Sequence, residues 1–151
     1  MGLKETLQAD LTEAIRSRDE LTSGTIRMIL AAIQVEEVAG KEARTLKDDE
    51  IIKVLSREAK KRREAADAYK DAGRADKAEQ ETKEGSVILK YLPAQLSEDE
   101  VKKIVADAVA EAGATTPQQM GAVMKIVQPK VAGKADGAMV SSLVKAALGG
   151  N

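Results

Sequence analysis

The sequence predicts an all-α protein of two parts, and three features predict it. Its apolar residues are almost entirely Ala, Leu, Ile, Val and Met, with no Phe or Trp and only Tyr69 and Tyr91. Strands favour aromatic and β-branched side chains, whereas Ala, Leu, Glu, Lys, Gln and Arg form helices well. Apolar positions recur every three or four residues, the period of one helix face. Glycines, prolines and capping residues then cut the chain into helix-sized pieces. At 43% hydrophobic and 32% charged, the 151 residues can bury a core beneath a solvated surface.

The first helix is expected over Leu3 to Arg18, where Leu3, Leu7, Leu11 and Ile15 form one apolar stripe. A second runs from about Thr22 to Val38, with Ile26, Ile29, Leu30 and Ile33 on one face and Gly40 as its stop. The longest spans Asp48 to Ala72, roughly 37 Å if continuous. Asp48, Asp49 and Glu50 suit the positive end of its dipole, and Thr45 with Asp48, or Asp48 itself, can cap it. Its apolar positions Ile51, Ile52, Leu55 and Ala59 give way to Ala65, Ala66 and Tyr69. Gly73 then closes it in a left-handed conformation. A return helix from Ala75 to Leu92 completes an antiparallel hairpin, and Gly85 inside it predicts a local irregularity.

Pro93 ends this four-helix half, so the expected domains are residues 1–95 and 96–151. The second begins with Ser97 and Glu100 of SEDE in a capping box, followed by Val101, Ile104, Val105, Ala108 and Val109, with Gly113 as the close. Thr116 caps the next helix, with Pro117 first and Gln119 reaching back. It carries Met120, Val123, Met124 and Val127 and ends or bends near Pro129. In the GKADG turn, Gly133 and Gly137 are read as needing positive φ, and Asp136 caps the last helix. That helix carries Val140, Leu143, Val144 and Leu148 and stops at Gly149 and Gly150. Seven helices and no strand are expected.

Composition also narrows the chemistry. With no cysteine, disulfides, thiolate metal sites and cysteine nucleophiles are excluded. With no histidine, the commonest general base and metal ligand is missing. No Ser-Lys or carboxylate pair stands out as a catalytic constellation, so no catalytic residue, metal or cofactor is assigned. No apolar run approaches the ~20 residues of a membrane helix, and MGLKETLQ lacks the apolar stretch of a secretory signal. A cytoplasmic location and no membrane partner follow as expectations. The net charge of −1 gives no overall pull toward DNA or another polyanion.

Local charge is more informative. Lys60, Lys61, Arg62 and Arg63 follow one another on the third helix, with Glu58, Glu64 and Asp67 in reach as partners. They read either as a solvated arm, the preferred alternative, or as a phosphate-contacting patch. In the second half, residues 97–112 hold five acids against two bases, a net −3. Residues 113–151 hold Lys125, Lys130, Lys134 and Lys145 against Asp136 alone, a net +3. Such segregation gives the last two helices a cationic side suited to a polyanion. GKADG is not a P-loop, because the G-x-x-x-x-G-K-[ST] spacing is absent. Met120, Met124 and Met139 at helical spacing read as core filler.

The runs YLPAQLSEDE (Tyr91, Pro93 and Ser97 within it) and MGAVMKIVQPKVAGKADG (Gly121, Gly133, Asp136 and Gly137 within it) resemble the YqeY family. IRMILAAI and EAKKRREAADAYKDAGR agree with it too, so the resemblance covers essentially the whole chain. It implies a helical hairpin domain joined to a three-helix tail, the tail being similar to the C-terminal domain of the B subunit of the glutamine-dependent aspartyl/glutamyl-tRNA amidotransferase. In that enzyme the tail holds tRNA and the chemistry lies elsewhere. The accompanying label, a carbon–nitrogen ligase with glutamine as amido-N-donor, belongs to the larger enzyme; this chain lacks the residues and size for it. Two departures are Gly85, where the family has a helix former, and Ala122, where it often has a lysine that could meet phosphate. The resulting expectation is a non-catalytic accessory that binds tRNA or a tRNA–enzyme complex through Lys125, Lys130, Lys134 and Lys145, supported by Lys60, Lys61, Arg62 and Arg63. The scarcity of aromatics argues for structured RNA over stacked single strands. The alternative is a helical module that docks a protein partner.

Overall fold

The computed structural model describes residues 2–149, so the expected stop at Gly150 lies outside the described residues. Within them the chain forms α1 (Leu3–Arg16), α2 (Glu20–Glu37), α3 (Asp48–Asp71), α4 (Ala75–Leu89), α5 (Glu98–Ala112), α6 (Met120–Val131) and α7 (Gly137–Ala147), with no strand. One 3₁₀ turn, Pro117–Gln119, leads into α6. The chain divides between Leu92 and Pro93 into two compact units. This puts Pro93 to Gln95 with the second unit, whereas the sequence suggests a division after residue 95.

In the N-terminal unit, Leu7 of α1, Ile26, Ile29 and Ile33 of α2, Ile51, Val54 and Leu55 of α3 and Ile88 of α4 pack together, all essentially inaccessible. The core is aliphatic throughout, which follows from a sequence with no Phe or Trp. α2 begins at Glu20, two residues before the expected Thr22, because Asp19 caps it, accepting hydrogen bonds from the Thr22 amide and hydroxyl. α2 ends at Glu37, before Gly40.

The start of α3 corrects the expected cap. Lys47 holds the capping position, and neither Thr45 nor Asp48 caps. Glu50 instead reaches back to accept from the Lys47 amide at 2.8 Å, while Asp48 accepts from the Leu3 amide at 3.1 Å. Carboxylates thereby fasten the 38–47 loop. Glu37 accepts from Lys4 Nζ at 2.8 Å and from the amide of the buried Leu46 at 3.0 Å, and Glu50 also accepts from Arg44. The hydrogen bond from Lys4, and then that from Leu46, hold the Glu37 carboxyl below its ordinary value of 4.5. The Lys47 amide and Arg44 lower Glu50 likewise. Because the folded values are depressed, their stabilisation is present above the ordinary carboxylate range and is lost as pH falls through it. We expect the Leu46 amide to exchange faster as pH drops below 4.5, after correction for the intrinsic rate, and Glu37→Gln to flatten that dependence.

α3 and α4 form the antiparallel hairpin, closed by Gly73 at φ 75°. α4 is continuous through Gly85, so the expected irregularity does not occur. A Cβ placed there would lie 3.6 Å from Arg62 Cβ, an ordinary contact. Gly85→Ala is expected to stabilise the hairpin by about 0.5–1 kcal/mol, because the helical backbone is accessible to alanine and the unfolded chain loses freedom. A chemical-denaturation midpoint that falls would show that α3 and α4 cannot accept the methyl group.

The C-terminal unit is built on valine. Val101, Val105, Val123, Val127, Val140 and Val144 are almost fully buried, and Met120, Met124 and Met139 pack against them as filler. Ser97 and Glu100 form the expected capping box on α5, and Gly113 closes it at φ 63°. Thr116 holds the capping position, with Pro117 first and Gln119 reaching back as expected; the Thr116 hydroxyl makes no cap bond, and Gln119 Oε1 accepts from the Thr115 and Thr116 amides at 2.7 and 3.1 Å. Pro129 lies in the final turn of α6, which runs two residues further to Val131. A proline so near the end removes one hydrogen bond without breaking a long ladder.

The two glycines of GKADG differ. Gly133 adopts φ 71°, as expected, but Gly137 has no positive φ and opens α7 as a helical residue. Gly133→Val should therefore cost about 1–2 kcal/mol, since a β-branched residue is strained in that region. Gly137→Ala should not destabilise, because an added Cβ would meet nothing within 4 Å. Equal thermal stability of Gly133→Val and the parent would overturn the first expectation.

Candidate functional site

The two runs that carry the family resemblance meet in space within the C-terminal unit. The Leu96 amide donates to the Lys134 carbonyl at 2.8 Å. Gln95 Nε2 donates to the carbonyls of Pro93 at 2.7 Å and Gly133 at 2.9 Å. The Lys134 amide in turn donates to the Val131 carbonyl at 2.8 Å, using the reversal that Gly133 permits. The strand-like lead into α5 and the α6–α7 turn are thus one hydrogen-bonded unit. Gln95 is the residue that sequence reasoning passed over. It sits inside a quoted run, but 38 residues separate it from its partner, and no local pattern signals the bond.

This unit presents cations with little opposition. Lys125, Lys130 and Lys145 are exposed and Lys134 is half-buried. None of the four makes an ion pair among the described residues. Asp136, the one acid after Gly113, accepts from the Ala138 amide at 3.2 Å and so serves as the expected α7 cap. Around Lys125, the outer face of α6 is formed by Gly121, Ala122, Gln128 and Pro129, all exposed and uncharged. Lys130 lies 140° around the same helix, toward its flank. The four lysines are therefore distributed over α6, the turn and α7.

The basic run on α3 has a different environment. Lys60 reaches Glu64 at 3.9 Å, and Lys61 reaches Glu58 at 3.3 Å. Arg62 is largely covered: its guanidinium lies 3.4 Å from Glu58, 3.6 Å from Glu81 and 3.5 Å from Glu84, with Met28 Sδ at 3.2 Å. One arginine thus ties α2, α3 and α4 together against three carboxylates. Arg63 is exposed and lines a groove of about 230 Å³ between α3 and α4, with Ala66 and Gly85 among its walls. Such partners within the protein are the surroundings of a structural arm more than of a surface awaiting phosphate.

Tyr91 also has an internal role. Its hydroxyl donates to Asp10 Oδ2 at 2.6 Å, holding the end of the N-terminal unit against α1. Burial first, and then the hydrogen bond to the Asp10 carboxylate, push the phenol well above its ordinary value of 10. Across the described residues, no three acidic side chains are grouped to hold a metal ion, and no helix is long and apolar enough to cross a membrane.

Comparison with known proteins bears on what this surface does. A family model described as Yqey-like protein matches residues 4–148. A protein of Clavispora lusitaniae named altered inheritance of mitochondria protein 41, mitochondrial, is 31% identical over 134 residues, covering 87% of this chain and 77% of the relative. An uncharacterised protein of Schizosaccharomyces pombe is 26% identical over 96 residues, covering 64% of this chain and 76% of the relative.

Proposed function

Because the chain belongs to the Yqey-like protein family, we propose that it is a non-catalytic accessory that binds tRNA, alone or within a tRNA–enzyme complex, through its C-terminal unit. The observation that carries this reading is the contrast between its two sets of cations. Lys60, Lys61 and Arg62 on the arm are matched by carboxylates, whereas Lys125, Lys130, Lys134 and Lys145 are not, among the described residues. An unmatched lysine keeps its charge available for a phosphate and releases a counterion when it binds one. The resemblance read from the tail's sequence motifs, to the tRNA-holding domain of the amidotransferase B subunit, supports the same reading. The arm contributes mainly as a scaffold in this reading, with Lys60, Lys61 and Arg63 at its edge. A cytoplasmic location goes with it. The mitochondrial name of the Clavispora relative is compatible, since mitochondria also hold tRNA.

Contacts of this kind position the protein on a backbone and read no base edges, so affinity should depend steeply on salt and weakly on sequence. Fluorescence anisotropy of labelled bulk tRNA tests this directly. With three or four phosphate contacts, affinity should fall roughly 40- to 150-fold between 50 and 200 mM salt. No binding at micromolar protein and 50 mM salt would end the RNA reading.

A further inference from the structure

Gln95 lies on the surface, where a long polar side chain ordinarily keeps its rotamer freedom. Here both N–H groups of Nε2 are spent, on the carbonyls of Pro93 at 2.7 Å and Gly133 at 2.9 Å. Only one of the two amide orientations turns a donor toward two carbonyls, so the orientation is fixed. What remains is Oε1, an acceptor that takes no hydrogen bond among the described residues. Gln95 is thus an exposed, immobilised amide with no donor to give. Lys134, beside it, is held as firmly by its backbone. Its amide donates to the Val131 carbonyl and its own carbonyl accepts from the Leu96 amide, both at 2.8 Å. The Gly133 carbonyl that precedes it is the one Gln95 engages. The Lys134 side chain is half-buried and makes no ion pair among the described residues. Asp136, two residues on, accepts from the Ala138 amide as the α7 cap.

We infer that Gln95 and Lys134 together take a ribose–phosphate step of RNA, Gln95 Oε1 accepting from a 2′-hydroxyl while Lys134 meets the adjoining phosphate. This rests on the tRNA reading and deepens it, because it says how the site tells RNA from DNA. A phosphodiester alone makes no use of Oε1, since its oxygens only accept and two acceptors repel. A ligand that satisfies both residues needs an O–H donor beside an anion. RNA carries that pair at every nucleotide and DNA does not. A small sugar phosphate offers the pair only once, whereas Lys125, Lys130 and Lys145 on α6 and α7 present further unmatched cations that a polymer can use. The fold has already ordered both residues, so the contact forms without the usual loss of side-chain and backbone freedom. It reads the sugar and no base edge, in keeping with weak sequence dependence.

The probes are a labelled tRNA transcript and a twin of the same sequence made with 2′-fluoro nucleotides, which keeps the charge and the A-form helices but has no 2′ donor. Both are titrated with the full chain by fluorescence anisotropy at 50 mM salt. The parent should bind the transcript about two- to tenfold more tightly than the twin, the effect of one hydrogen bond. Gln95→Met keeps the length of the stem and loses the amide, so it should bind both RNAs with the affinity the parent shows for the twin. Its salt slope should match that of the parent, whereas Lys134→Ala should lower the slope by about one with either RNA. Gln95 is exposed, so Gln95→Met should keep the helical circular dichroism of the parent. The inference is overturned if the parent binds both RNAs equally, a comparison that needs no variant. It is also overturned if Gln95→Met keeps the preference, or weakens both RNAs alike as a purely structural loss would. Displacement of the transcript by millimolar ribose 5-phosphate would assign the pair to a free sugar phosphate and overturn it as well. Absence of any tRNA binding by the parent ends this inference together with the reading beneath it, whereas binding without preference ends this one alone.

Discussion

Replacing Leu55 by Ala is expected to lower the stability of the N-terminal unit by about 2–5 kcal/mol. Leu55 is fully buried among Ile26, Ile29, Ile33, Ile51 and Ile88, which come from three helices. The substitution removes three carbons from water-excluded space and leaves a cavity whose lining is aliphatic and held by helix backbones. No Phe or Trp stands by to swing into it. Ile29→Val, which deletes one methylene at a site equally buried, should cost only about 0.5–1.5 kcal/mol and provides the scale. The measurement is urea denaturation of the full chain, with amide exchange read in both units. A Leu55→Ala shift no larger than that of Ile29→Val would mean that the core collapses around the gap, against the packing described here. The cores contain residues of one unit each, so the protection of Val123 and Val127 should be retained. Its simultaneous loss would show that the units unfold as one.

The second large effect concerns binding. The combined replacement Lys125→Ala, Lys130→Ala and Lys145→Ala should reduce the slope of log affinity against log salt by about 3, one unit for each lost phosphate contact. Affinity for tRNA at low salt should drop with it, by about tenfold or more. All three side chains are exposed, so stability should change by no more than about 0.5 kcal/mol. The matching replacement of Lys60 and Lys61, which are engaged by Glu64 and Glu58, should change the slope much less. If the arm variant abolished binding and the tail variant did not, the tail would lose its assigned role and the hairpin would take it.

Much of this architecture was legible before any coordinates. Period, caps and breakers locate every helix, because each is a local property of a few consecutive residues. Ser97 with Glu100, Asp136, Gly73 and Gly113 do what their sequence neighbourhoods indicate. Errors arose where a local rule met a non-local partner. Thr45 and Asp48 looked like caps for α3, but Glu50 takes the Lys47 amide and Asp48 is engaged by Leu3, 45 residues away. Gly85 looked like a weak point, yet α3 packs beside it and keeps α4 continuous. Gly137 looked like a twin of Gly133, but a residue that opens a helix needs helical φ.

The cations divide along the same line. Sequence by itself determined that this protein is all-helical, that its charge separates within the second half, and that the chain falls into two parts near Pro93. Those follow from composition and from contacts between near neighbours. Only the tertiary structure decided which charges are engaged. Arg62 meets Glu81 and Glu84 because α4 folds back along α3, while Lys125, Lys130 and Lys145 make no ion pair among the described residues. An ion pair needs its partner within about 4 Å, and across a helical hairpin that proximity is created by packing, which sequence spacing does not encode.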